Sequence, residues 1–209
     1  MLLQDFKPCS ELAAWIRCYR VVHFNFKDGF LPPPKPYTPR PEQCIAFYPL
    51  TSENVKYPDK SRSISKVNVA LIGQHSKVTY REVGREFLVV QVIFQPGALY
   101  RLTGIPASEL FNEYLEADLI LGTDVHFVNE QLYHAKSYEE MLQTLDLFFI
   151  PATKKVKRDA SRVDPLIRIF EYNRPCSLDD LSKKAFYSFK AFLCKNGSHS
   201  EILSKTGEV

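Results

Sequence analysis

The chain is 209 residues long, with 45% hydrophobic and 13% aromatic residues and a net charge of +3, enough for one large or two small domains around a substantial core. It has no run of about 18 uncharged apolar residues, which excludes a membrane-spanning helix, and its first residues, with Asp5 and no basic region before an apolar stretch, do not read as a signal peptide. The charge is uneven: residues 151–209 hold 12 Lys and Arg against 7 acids, whereas residues 1–150 hold 15 against 17. A slightly acidic front and a basic tail suit a sensor joined to a nucleic-acid reader, or ordinary surface variation.

In chain order, Ser10 to Tyr19 reads as a short helix capped by Ser10, with Leu12, Trp15 and Tyr19 on one side. Arg20 to Phe26 turns to strand character and ends at the turn signal Asp28-Gly29. Leu31 to Pro41 carries six prolines, which bars it from a helix or a central strand and predicts a polyproline-like crossover or an SH3-type ligand. Gln43 to Tyr48 is a strand and Thr51 to Ser65 a polar loop. Val67 to Ile72, Lys77 to Val83 and Glu86 to Phe94 read as a three-stranded meander broken at Gly73 and Gly84. The run from Phe87 to Phe94 is apolar except for Gln91, which predicts a central strand buried on both faces. The front half is therefore expected to be antiparallel β, curved or barrel-like.

After Gln95-Pro96-Gly97 the pattern turns helical, at Ala98 to Leu102, Pro106 to Tyr114, Asp124 to Ala135 and Ser137 to Phe149. Ser137 and Glu140 have the spacing of a capping box. Pro151 to Arg162 is polar and basic and reads as a linker, and Asp164-Pro165 opens a further helix. Ser177 to Asn196 then reads as two short amphipathic helices joined by a tight turn, the outline of a helix-turn-helix or of a generic helical hairpin. The expected fold class is α+β. Its organisation is a sensor at 1–150 (β-rich 19–95, helical 98–149), a linker at 151–163 and a partial helix-turn-helix at 164–209.

Catalytic motifs are missing: there is no Gly-x-Ser-x-Gly, no P-loop and no dinucleotide fingerprint, so neither an enzyme nor a cofactor is expected. The five histidines form no His-x-His or His-x-x-x-His pair, so no metal is expected. Five widely spaced cysteines without Cys-x-x-Cys suit a reducing compartment, hence the cytoplasm. His75, Tyr80 and Arg81 are a weak candidate pocket lining, and Glu82 and Glu86 have no assigned role. The basic residues near the C-terminus make the clearer physical case. Lys183, Lys184, Lys190 and Lys195 lie on or beside the two short helices, where phosphates would attract them, and Ser188, Phe189, Lys190 and Ala191 open the second helix, which would face a major groove.

Three segments together resemble a family. Phe6-Lys7-Pro8 through Tyr19 looks like the opening of a sensor domain. Val92 to Leu110 carries Phe-x-Pro-Gly, then Gly-x-Pro, then Glu-Leu, and Asp164-Pro165 through Ala185 looks like the entry to a DNA-binding domain. The chain thus resembles AraC-type bacterial transcription regulators, in particular those with a poorly characterised N-terminal sensor. The resemblance implies sequence-specific DNA binding by Ser188, Phe189, Lys190, Lys195, Lys183 and Lys184, a small-molecule effector and a homodimer. The family's reader holds two helix-turn-helix units in roughly a hundred residues, whereas about 45 follow Asp164 here. After Lys195 the sequence departs from the family's pattern, with Asn196-Gly197-Ser198-His199-Ser200. The expectation is a truncated reader that binds DNA weakly. The alternative is a stand-alone small-molecule-binding sensor.

Overall fold

The strand Glu86–Phe94 sends alternate side chains into two different interiors, and the rest of the fold is arranged around it. The structure is a computed structural model describing residues 1–26, 30–58, 62–156, 158 and 183. The strands are β1 (Leu2–Phe6), β2 (Ile16–Asn25), β3 (Lys35–Tyr37), β4 (Cys44–Phe47), β5 (Asn54–Lys56), β6 (Ser63–Ile64), β7 (Val69–Ile72), β8 (Thr79–Glu82), β9 (Glu86–Phe94) and β10 (Tyr114–Glu116). The helices are α1 (Ala98–Thr103), α2 (Asp118–Leu121), α3 (Asp124–His134) and α4 (Tyr138–Lys154).

Six strands form one antiparallel sheet in the order β1-β2-β9-β4-β7-β10, and four form a second in the order β3-β8-β5-β6. The larger sheet is the middle layer. On one face Leu88, Val90, Val92 and Phe94 of β9 join Tyr19 and Val21 of β2 and pack against Leu99, Val125, Val128, Leu132, Met141, Leu145 and Phe149 of the helices. On the other, Phe87, Val89 and Ile93 join Cys18, Cys44, Tyr48 and Tyr114 and pack towards Val55 of the smaller sheet. Period-two alternation with both faces covered is why β9 reads as almost continuously apolar. Each fully buried Val, Leu, Ile or Phe contributes about 1.5–3 kcal/mol, so this strand is a principal anchor.

The helix α4 has the Ser137 cap expected of it, but the Glu140 side chain reaches back to the residue before the cap and not to the cap itself. The N–H of Glu140 donates to Ser137 Oγ at 3.2 Å, and Glu140 Oε2 accepts from the N–H of Lys136 at 2.8 Å. Such a cap contributes about 1 kcal/mol. Tyr19 donates to Asp146 Oδ1 at 2.7 Å, tying α4 to the middle sheet.

Several expectations are corrected. Ser10 to Tyr19 is a single 3-10 turn, Ser10–Leu12, followed by β2. The apolar spacing that imitated a helix is shared between the turn, where Leu12 is buried, and a strand that buries Ile16, Cys18 and Tyr19. The strand β1 precedes the β-rich span expected at 19–95, and β10 falls inside the expected helical span. Pro106 to Tyr114 is a 3-10 turn, Ala107–Leu110, leading into β10, because Tyr114, Leu115 and Glu116 complete the edge of the sheet beside β7. The polar loop expected at 51–65 holds the hairpin β5–β6. The three strands expected as a meander are present but divided: β8 belongs to the smaller sheet, while β7 and β9 flank β4. The two sheets do not close into a barrel. The proline-rich crossover does pair, with β3 at the edge of the smaller sheet, where Pro36 needs no donor on its open side. Helix α4 continues through Pro151 to Lys154, over the first residues expected of the linker.

Candidate functional site: a cavity between the two sheets

The larger sheet's second face does not meet the smaller sheet along its whole length. Between β1, β2 and β9 on one side and β3 and β8 on the other lies a cavity of about 240 Å³. Strand register decides its lining. Across β2 and β9 the paired rows are Arg20 with Gln91, Val22 with Val89, and Phe24 with Phe87. All six side chains line the cavity. The wall therefore runs from a polar row to two apolar rows. Opposite stand Lys35, Tyr37, Arg81 and Val83, with Pro32 and Pro33 from the crossover.

Beside the cavity is a buried polar network. Glu53, 5% exposed, accepts at Oε1 from Arg81 Nη1 at 2.6 Å and from the Tyr48 hydroxyl at 2.6 Å. The Tyr114 hydroxyl lies 3.4 Å from the same oxygen and 2.8 Å from that of Tyr48. Burial pushes both phenols well up, so they keep their protons and can donate. The Arg81 guanidinium carbon lies 3.7 Å from the centre of the Tyr37 ring, a cation–π contact in a desolvated place. Arg81 Nε is buried with no hydrogen-bond partner.

A second cluster holds Arg20. Its guanidinium donates to Asp5 from Nε at 2.8 Å and from Nη2 at 3.0 Å, and from Nη1 to Glu42 at 2.8 Å. Glu42 also pairs with Arg17, and Arg40 stands 4.0 Å from it. The hydrogen bonds from Arg20 hold the Asp5 carboxyl below the usual carboxylate range. Cys44, wholly enclosed nearby, has its thiol pushed up to about 12 by burial, so it is no nucleophile at neutral pH. The described cysteines, Cys9, Cys18 and Cys44, are free thiols.

His75 sits apart from the cavity lining. Its Nδ1 is 2.9 Å from the Gly73 carbonyl, which it meets as a donor, and Nε2 is 3.4 Å from the Tyr57 hydroxyl. Burial pulls its pKa below the ordinary 6.5, with the Gly73 bond acting the other way. As pH falls through 6.5 the unfolded chain takes up this proton before the folded one does, so stability is lost on acidification and a second loss follows below 3.8 through Asp5. The melting temperature is expected to fall between pH 7 and pH 5, and His75→Gln to flatten that slope; an unchanged slope in the variant overturns the assignment.

Of the expected pocket residues, Arg81 lines the cavity, whereas Tyr80 is exposed and His75 lies elsewhere. Glu82 pairs with Lys56 at 2.6 Å. Of the expected DNA-contacting residues, Lys183 is an exposed helical residue; Lys184, Ser188, Phe189, Lys190 and Lys195 lie outside the described residues. Sequence reasoning missed Arg20, Tyr37, Glu53 and Gln91. Only Gln91 carried a signal, as the lone polar residue of the run from Phe87 to Phe94. Among the described residues no cluster of His, Cys, Asp or Glu could hold a metal, and no helix is long and apolar enough to cross a membrane.

The chain is similar to two crystal structures of ToxT from Vibrio cholerae. One, an apo variant, has 12% identity and a TM-score of 0.48, covering 86% of this chain and 75% of that one. The other has 15% identity and a TM-score of 0.41, covering 94% and 84%. No curated protein matches the chain. Residues 4–116 match the family described as a domain of unknown function, DUF6597, a span that takes in both sheets and the cavity apart from Leu2 and Leu3 of β1, and the chain belongs to that family.

Proposed function

We propose that the described fold is the effector-sensing half of an AraC-like transcription regulator, with the cavity between the sheets as the effector site. The observation that carries this reading is the cavity itself: a half-open, largely apolar space with a few convergent polar groups, walled mainly by strands of the two sheets. The run from Val92 to Leu110 supports the regulator part, since its resemblance to the family falls where β9 leaves the sheet and enters α1. Beyond α4 the chain returns to this junction: the N–H of Arg158 donates to the Arg101 carbonyl of α1 at 3.3 Å, and the Arg101 guanidinium lies 3.9 Å from the centre of the Trp15 ring. The basic residues past 150 are the part of the chain suited to phosphates.

The reading is tested by selecting binding fragments from sheared genomic DNA with the full chain, then measuring anisotropy on the enriched fragment between 50 and 200 mM salt. A shared motif and an affinity that falls steeply with salt are expected. Ligand stabilisation without enrichment of any fragment overturns the regulator and leaves a stand-alone small-molecule sensor, the second reading that the cavity supports.

A further inference from the structure

Resting on the sensor reading, we infer that the cavity takes a flat, singly charged organic anion, an aryl carboxylate, with its carboxylate at the Arg20–Gln91 row and its ring against Val22, Val89, Phe24 and Phe87. Register, charge and volume meet in this assignment. Successive rows on one face of a strand are about 7 Å apart, so the two apolar rows match a fused bicyclic ring and not a long alkyl chain. At the packing density of protein interiors, 240 Å³ takes a molecule of roughly a dozen heavy atoms.

The charge of the ligand follows from the polar end. Arg20, Lys35, Arg40 and Arg81 line the cavity against one carboxylate, Glu53. Asp5 and Glu42 pair with Arg20, yet the cations still outnumber the carboxylates. A chain of contacts gathers them at one end: Arg20 to Glu42, Glu42 to Arg40, Arg40 over Tyr37 at 6.0 Å, and Arg81 over the same ring at 3.7 Å. Arg81 is the group we assign to the carboxylate. Its side chain is nine-tenths buried, its Nε has no partner, and one Nη donates to Glu53. A guanidinium has five N–H donors in a planar fork, so the Glu53 pair leaves donors for a second, planar anion. Gln91, 6% exposed, adds an amide on the facing wall.

The test titrates the full chain with 2-naphthoate, its neutral isostere 2-naphthamide, and palmitate, by calorimetry and thermal shift. 2-Naphthoate is expected to bind saturably and raise the melting temperature. The amide is expected to bind about tenfold more weakly or worse, from the loss of charge-assisted hydrogen bonds. Palmitate is expected not to compete. Val89→Trp, which fills the cavity, should abolish binding, and Lys35→Gln, an exposed change that spares the core, should weaken it severalfold. Equal binding of acid and amide, both lost in Val89→Trp, overturns the anion and keeps the sensor cavity. Binding of 2-naphthoate that survives Val89→Trp, or no binding of any probe, overturns the inference, while the sensor reading is then judged by the DNA selection.

Discussion

The Glu53→Ala variant is expected to lose about 3–5 kcal/mol of unfolding free energy, the range for breaking a buried ion pair from one side. The loss comes less from the pair than from what is left behind. Arg81 would keep its charge in a place where its side chain is only 10% exposed, with no carboxylate to answer it. Tyr48 would lose the acceptor of its 2.6 Å bond, and Tyr114, buried beside it, would retain only Tyr48. Glu53→Gln keeps the shape and an acceptor oxygen for Tyr48 but removes the charge, so it should fall between wild type and alanine. Removing both charges in Glu53→Ala with Arg81→Met should recover part of the loss, because two absent ions cost less than one unpaired ion. Urea denaturation of wild type, Glu53→Ala, Arg81→Met and the double variant completes the cycle. A Glu53→Ala variant within about 1 kcal/mol of wild type would mean that water reaches Arg81, which would place the network outside the protected interior.

This network also explains what the sequence could and could not disclose. The double burial of β9 was legible from Phe87 to Phe94 because both faces of one strand are written in one continuous stretch. The cap of α4 was legible for the same local reason: Ser137 meets Glu140 three residues on. The cavity is assembled differently. Glu53, Arg81 and Tyr114 are far apart in the chain and meet because β8 leaves the larger sheet, and no periodicity in residues 77–83 distinguishes a strand of one sheet from a strand of the other. The same holds for Arg20: it reads as the start of a strand, but its pairing with Gln91 joins positions far apart in the chain, which no local pattern links. Gln91 alone was conspicuous, as a polar residue on the inward face of a buried strand.

Gly73→Ala is expected to be nearly as damaging, at about 3 kcal/mol, the upper end of what overpacking usually costs. Gly73 follows β7, and its N–H donates to the Glu113 carbonyl at 3.0 Å. A Cβ at this position would stand 1.6 Å from the Leu110 carbonyl oxygen and 2.6 Å from its carbon. Both atoms are backbone, so no side-chain rotation relieves the clash. Leu110 is itself 1% exposed and anchors the 3-10 turn before β10. The segment from 107 to 113 would have to move, and with it the pairing of Tyr114 with Ile72. Tyr114 would then carry the disturbance into the Tyr48 and Glu53 network. Gly73→Ala and Tyr114→Phe should therefore combine non-additively in urea denaturation, as changes sharing a partner do. Gly84→Ala is the contrast: its nearest neighbour is the Thr51 hydroxyl at 3.0 Å, a side-chain atom, so its cost should be much smaller. If Gly73→Ala proves as mild as Gly84→Ala, the close approach of β7 to the 107–110 turn is not what holds β10 in place.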